Sequence, residues 1–260
     1  SAAPNPSVID LSTLNGVNGF RLDGIDASDA SGLSVSSAGD VNGDGFDDII
    51  IGAREGDPNG LYDAGESYVV FGQSGGFSAS FDLSTLNGVN GFRLDGVEDF
   101  DRLSSVSSAG DINGDGFDDL IIGAEQADPG GKAYVLFGKS GTYSATFDLA
   151  TLDGSNGFRI DGIDEYDHFG CSVSSAGDVN GDGYDDLIIG AYHADTGPFG
   201  YEGETYVVFG KSGNYSAVFD LATLDGVNGF RLDGIDLYNF SGFAVSSAGD
   251  INGDGFDDLI

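Results

Sequence analysis

Cysteine, proline, histidine and basic residues are all scarce in this chain, and each scarcity removes a class of explanation. The one cysteine among 260 residues, Cys171, has no intrachain disulfide partner, so the thiol content fixes no redox compartment. It stands where the other repeats have Leu33, Ser104 and Phe243, which marks it as a packing residue. Nine Lys and Arg against 44 Asp and Glu give a formal net charge of −35, which disfavours nucleic acid and anionic lipid as partners. His168 and His193 occur in one unit each and read as solvated loop residues, and no Ser-His-Asp arrangement recurs. No apolar run reaches the length of a membrane span. The opening Ser1-Ala-Ala-Pro-Asn-Pro lacks a basic n-region and an apolar h-region, so a signal peptide is expected to be absent or already removed. No stretch shows a 3.6-residue periodicity long enough for a helix.

Glycine is abundant instead, 45 residues against 5 prolines, and 40% of residues are hydrophobic. That mixture fits short strands joined by tight turns and argues against disorder. A nine-residue pattern, Asp-x-Asn-Gly-Asp-Gly-(Phe/Tyr)-Asp-Asp, begins at Asp40, Asp111, Asp178 and Asp250, in steps of 71, 67 and 72 residues. Aligning these copies aligns everything else. Gly-Phe-Arg-(Leu/Ile)-Asp-Gly recurs at 19–24, 91–96, 157–162 and 229–234, and Val-Ser-Ser-Ala-Gly leads into each first Asp. An apolar run ending in Gly-Ala follows, then Tyr-Val-(Val/Leu)-Phe-Gly, then Phe-Asp-Leu-(Ser/Ala)-Thr-Leu. All of these are rich in β-branched and aromatic residues, are bounded by turn formers, and read as strands. The apolar runs after each nine-residue pattern suit strands buried on both faces.

Four strands per unit of about 70 residues predict an all-β chain, a β-propeller of four-stranded blades and an incomplete portion of the ring. The expected divisions are an N-terminal segment at 1–32 carrying outer strand of a preceding or closing blade, blade repeats at 33–103, 104–170 and 171–242, and a partial repeat at 243–260. The ring is then completed by pairing the ends, by a second chain, or by further blades of a longer parent, which is the favoured reading.

The recurring nonapeptide has the chemistry of a calcium loop. Asp40, Asn42, Asp44 and Asp48 offer side-chain oxygens, Phe46 offers a carbonyl, and Gly45 permits a sharp turn. The same roles fall to Asp111, Asn113, Asp115, Phe117 and Asp119; to Asp178, Asn180, Asp182, Tyr184 and Asp186; and to Asp250, Asn252, Asp254, Phe256 and Asp258. One Ca²⁺ per loop, up to four, is expected; Mg²⁺ demands a tighter octahedron, and no His or Cys stands in these loops to suit zinc. An EF-hand would need an acidic residue at position 12, where Ile51, Ile122 and Ile189 stand. Arg21, Arg93, Arg159 and Arg231, each two residues before an Asp, are expected to form structural ion pairs.

The Asp-x-Asn-x-Asp-Gly-x-x-Asp loop followed by (Leu/Ile)-Ile-Ile-Gly-Ala resembles the FG-GAP repeat of integrin α-subunit propellers and their bacterial relatives, cyanobacterial versions included. Phe169-Gly170 and the Gly-Ala pairs at 52–53, 123–124 and 190–191 carry the two halves of the signature, without its proline, and Leu103 replaces a glycine. The resemblance implies a seven-bladed ring with Ca²⁺ on the face away from the ligand surface, in secreted or cell-surface proteins. Segments 54–67, 125–133 and 192–205 vary between units, so Tyr62, Tyr192, Phe199 and Tyr201 are candidates to meet a protein or glycan. The expected role is a non-enzymatic, calcium-binding adhesion or binding module. A repeat unit of a surface layer, sheath or filament, with self-association, is the alternative; a domain of a secreted hydrolase is a distant one. No catalytic residue is nominated.

Overall fold

The computed structural model describes residues 8–195 and 200–260, and strands joined by loops and short 3₁₀ turns make up its regular structure. Strand β1 (Arg21–Asp23) precedes the first full blade of β2 (Ser31–Gly39), β3 (Asp48–Ala53), β4 (Glu66–Val70), an excursion β5 (Ser80–Asp82) and an outer β6 (Gly91–Asp95). The second blade repeats this as β7 (Leu103–Gly110), β8 (Asp119–Ala124), β9 (Lys132–Leu136), β10 (Thr146–Asp148) and β11 (Gly157–Asp161). The third runs β12 (Phe169–Gly177), β13 (Asp186–Ala191), β14 (Glu204–Val208), β15 (Val218–Phe219) and β16 (Gly229–Asp233), followed by β17 (Ser247–Gly249) and β18 (Asp258–Leu259). Four antiparallel strands form the body of each blade, in agreement with the expected all-β propeller architecture, and the ring is not closed.

The excursion strands are the departure from a simple four-stranded blade. β5 pairs in parallel with β1, β10 with β6 and β15 with β11, so each unit lends a short fifth strand to the outer edge of the unit before it. Only the first residues of Phe-Asp-Leu-x-Thr-Leu are strand, against the expectation that the whole segment extends. Leu83–Thr85, Leu149–Thr151 and Leu221–Thr223 wind into 3₁₀ turns. The cause is local: the Asp82 carboxylate accepts the Ser84 N–H (2.9 Å), and the Thr85 hydroxyl donates to the Asp82 carbonyl (2.7 Å). The four repeated arginines form the structural ion pairs expected of them, with Arg159 on Asp161 (2.6 Å) and Arg231 on both Asp233 (2.6 Å) and Glu204 (3.1 Å).

The core lies between blades. Ala38, Ile50 and Val69 of the first blade pack with Val106, Leu120 and Leu136 of the second, and a like cluster joins the second to the third. This explains why β8 and β13 are buried along their whole length, as both faces of each sheet meet a neighbour. The inner strands also tie directly: Ser34 Oγ accepts the Val106 N–H (3.2 Å), Ser105 Oγ that of Val173 (3.1 Å) and Ser172 Oγ that of Val245 (3.0 Å). Their approach is close enough to demand glycine opposite. A Cβ on Gly123 would lie 1.9 Å from the Gly170 carbonyl oxygen, and one on Gly190 would lie 1.8 Å from that of Gly242.

Gly123→Ala is therefore expected to cost about 2 kcal/mol or more in urea unfolding, since the obstruction is backbone that cannot rotate away. A loss below about 0.5 kcal/mol would show that the blades do not meet so tightly.

Candidate metal centre

Each nonapeptide closes the hairpin between the two innermost strands of a blade, β2 with β3, β7 with β8 and β12 with β13, and the fourth joins β17 to β18. In the first, the Asp44 N–H donates to Asp40 Oδ1 (3.0 Å) and Asn42 Oδ1 (2.8 Å), the Gly45 N–H to Asp40 Oδ2 (2.9 Å), and the Phe46 N–H to Asp44 Oδ1 (3.0 Å). The other three loops repeat this set. The chain thus wraps around the side-chain oxygens of positions 1, 3 and 5. The ninth residue is held differently: Asp48 accepts the Val41 N–H (3.1 Å) within the loop and the Gly72 N–H (2.8 Å) just past the third strand. Asp119 and Asp186 do the same with Gly138 and Gly210. No three His, Cys, Asp or Glu side chains among the described residues are gathered into a ready-made metal cage. Positions 1, 3, 5 and 9 share one short loop, and their carboxylates face backbone N–H groups rather than one another.

The electrostatics of that loop fit a hard cation. Asp48, Asp119 and Asp186 are almost wholly buried. Burial pushes their carboxyls up to about 7, about 8 and about 7, and the carboxylates at positions 1 and 5 of the same loop push the same way, against the backbone N–H groups. None of the ion pairs among the described residues reaches these loops. A buried carboxylate flanked by two more, with oxygen as the only donor, is a set that a divalent ion relieves.

Position 8, to which no role was assigned from the sequence, joins the loops to one another. Asp118 Oδ2 accepts the Asp40 N–H of the preceding loop (2.7 Å), Asp185 Oδ2 that of Asp111 (2.9 Å) and Asp257 Oδ2 that of Asp178 (2.9 Å). The neighbouring aromatic reaches over the same seam: a Cβ on Gly43 would lie 2.3 Å from the Phe117 ring, and one on Gly114 the same distance from Tyr184. Both glycines also have φ above +70°, so space and backbone exclude a side chain together. The Val41 carbonyl then takes the Lys139 N–H (3.0 Å) and the Tyr143 hydroxyl (3.1 Å), and Ile112 receives Lys211 and Tyr215 likewise. Tyr143 lies flat on Phe92 at 4.4 Å and Tyr215 on Phe158 at 4.3 Å. The signal was present in the sequence, since the eighth residue is Asp in every copy although no loop needs it as a ligand.

The variable segments lie at the other end of the same hairpins, after β3, β8 and β13. There each unit sets two non-glycine residues in the left-handed region around one polar residue: Phe100 and Arg102 about Asp101, Tyr166 and His168 about Asp167, Tyr238 and Phe240 about Asn239. Asp101 is buried and accepts the Val97 (3.2 Å) and Glu98 (2.9 Å) N–H groups. Tyr166 is 77% exposed and Phe100 49%, although full blades flank the latter on both sides. The histidines are not solvated as expected. His168 and His193 meet edge to face at 4.7 Å, half-buried among Tyr192, Tyr201 and Phe240. Phe199 lies outside the described residues.

The FG-GAP repeat model matches residues 31–70, 104–136 and 169–208, one stretch in each full blade. Integrin alpha-PS2 of Drosophila melanogaster is 30% identical over 186 residues, covering 70% of this chain and 13% of that protein. Integrin alpha-V of Gallus gallus is 31% identical over 173 residues, 64% of this chain and 15% of its own length. Phosphatidylinositol-glycan-specific phospholipase D of Bos taurus is 32% identical over 171 residues, 64% of this chain and 19% of that one. The chain thus spans less than a fifth of each of these relatives.

Tyr143→Phe keeps the ring on Phe92 and removes one donor from a buried carbonyl, so a loss of about 1 kcal/mol is expected in urea unfolding. Tyr62→Phe, on the exposed opposite edge, is expected to stay within about 0.5 kcal/mol of the parent.

Proposed function

From the premise that this chain carries FG-GAP repeats on an integrin α-like fold, we propose that it is a calcium-stabilised, non-catalytic propeller module for adhesion or ligand binding outside the cell. The observation that carries the calcium reading is the buried ninth carboxylate, present in each full blade without a cationic partner among the described residues and flanked by two further carboxylates. Asp40, Asn42, Asp44, Asp48 and the Phe46 carbonyl would hold the ion in the first loop, with the matching residues in the other three. The ion supplies positive charge where the fold concentrates negative charge. The chain's own part is to fix the loop backbone and to hold the ninth carboxylate on two N–H groups.

Extracellular calcium modules bind at about 10⁻⁴ to 10⁻³ M, and at ten times that dissociation constant each filled site adds about 1.4 kcal/mol to folding stability. That range suits a secreted or surface protein. It also matches the integrin names among the relatives, whose activities as whole proteins are not carried over by so short a match. The phospholipase likeness is equally partial.

Ligand recognition is assigned to the opposite edge, where Tyr62, Phe100, Tyr166, Tyr201 and Tyr238 stand exposed on loops that differ from blade to blade. Aromatic rings with polar tips suit either a protein surface or the apolar face of a sugar. A protein or glycan ligand is therefore the partner sought.

Chelation is expected to lower the melting temperature and added Ca²⁺ to restore it; melting unchanged by EGTA would reject the calcium reading. Tb³⁺ is expected to luminesce through Tyr184 of the third loop. On arrays of glycans and extracellular proteins, Tyr166→Ala with Tyr62→Ala, the two most exposed of these rings bar Tyr238, should abolish binding while the chain still melts cooperatively. Calcium-dependent polymerisation of the pure chain, with no ligand captured, would favour the surface-layer reading instead.

A further inference from the structure

We propose that the eighth residue of each loop, Asp118, Asp185 or Asp257, is a positioning residue that couples cation binding in that loop to cation binding in the loop before it, so that the loops fill with positive cooperativity. This rests on the calcium reading above and goes beyond it, because four isolated loops would fill independently.

The seam geometry occurs three times. Each of these carboxylates sits in sequence between two groups assigned as ligands of its own loop, the carbonyl of position 7 and the carboxylate of position 9. Each accepts the main-chain N–H of the first ligand of the preceding loop at 2.7–2.9 Å. The backbone follows: the Asp257 N–H donates to the Asp178 carbonyl (3.1 Å), and Lys139 and Lys211 N–H groups hold position 2 of the preceding loops at 3.0 Å. The position-7 ring covers the glycine at position 4 of that loop. An ion that orders residues 111–119 therefore also orders Asp40, and the ordering cost of the second site falls.

Charge sets affinity rather than coupling. Ions in adjacent loops repel each other through solvent, an interaction screened over about 8–10 Å at ordinary salt. The position-8 carboxylate at the junction attracts the ion of either loop and raises the affinity of both, so the cooperativity rests on the shared ordering of the seam. By reciprocity, filling the preceding loop favours the following one by the same factor.

Asp47 provides the internal control. It occupies position 8 of the first loop, carries the same charge at the same distance along the chain from its ligands, and is exposed instead of bridging to another loop.

The test is a calorimetric Ca²⁺ titration of the 260-residue chain, repeated with Tb³⁺ emission. The native chain is expected to give a Hill coefficient of about 1.5–2, from a coupling of roughly fivefold per junction. The triple variant Asp118→Ala, Asp185→Ala, Asp257→Ala should fall to a coefficient of 1 and bind several-fold more weakly, whereas Asp47→Ala should retain the native curve. Plain loss of stability does not flatten the curve, and far-UV circular dichroism checks folding. If the triple variant does not fold, the single Asp118→Ala, which breaks one of three junctions, should show a smaller fall in the coefficient. Saturable binding by the native chain with a coefficient of 1, a triple variant with the native curve, or equal loss in Asp47→Ala would overturn the coupling and leave calcium binding standing. No binding by the native chain would overturn both.

Discussion

One buried aspartate per full blade, at the point where the two innermost strands meet, is the constraint to which the rest of the structure answers. Asp48, Asp119 and Asp186 are nine-tenths or more buried, and a carboxylate so placed is costly unless its oxygens are engaged. Each takes one N–H from its own loop and one from the glycine two residues past the third strand, so a single side chain fixes the hairpin and the chain beside it. Repeating this device with its companions supplies part of the chain's acidity. Four carboxylates per loop account for 16 of the 44 acids.

The blades are joined by three different ties at three radii. Serine hydroxyls link inner strands near the axis, Asp at position 8 links the loops at one end, and the parallel excursion strands link the outer edges. Each tie joins a unit to its immediate neighbour, which is the behaviour of a repeat array whose stability is a sum of unit and interface terms. The same neighbour contacts form the core. At the opposite edge the Arg54–Glu125 ion pair (2.6 Å) also joins the first two blades, and the left-handed residues around Asp101 and Asp167 differ from unit to unit.

Much of this was readable from the residues. The period, the blade bodies, the apolar central strands and the turn between the two inner strands all follow from patterns that recur in register, because strand alternation and turn chemistry are local properties. What was not readable depends on neighbours. Asp118 looks like an ordinary loop acid until the preceding loop is placed against it, and the Phe-Asp-Leu segment looks extended until Asp82 caps a 3₁₀ turn and its first residues cross to another unit's edge. Lys139 and Tyr143 gave no local signal either, since their partner, the Val41 carbonyl, lies about a hundred residues away. His168 and His193 fall in separate segments, and only the fold brings their rings together.

The occupancy of the acidic turns is tested most directly by anomalous scattering from crystals of this chain grown in calcium. One strong peak per loop is expected, about 2.3–2.6 Å from oxygens of Asp40, Asn42, Asp44 and Asp48 and of their counterparts in the other loops. Density of water height at those positions, with no anomalous signal at saturating calcium, would contradict it.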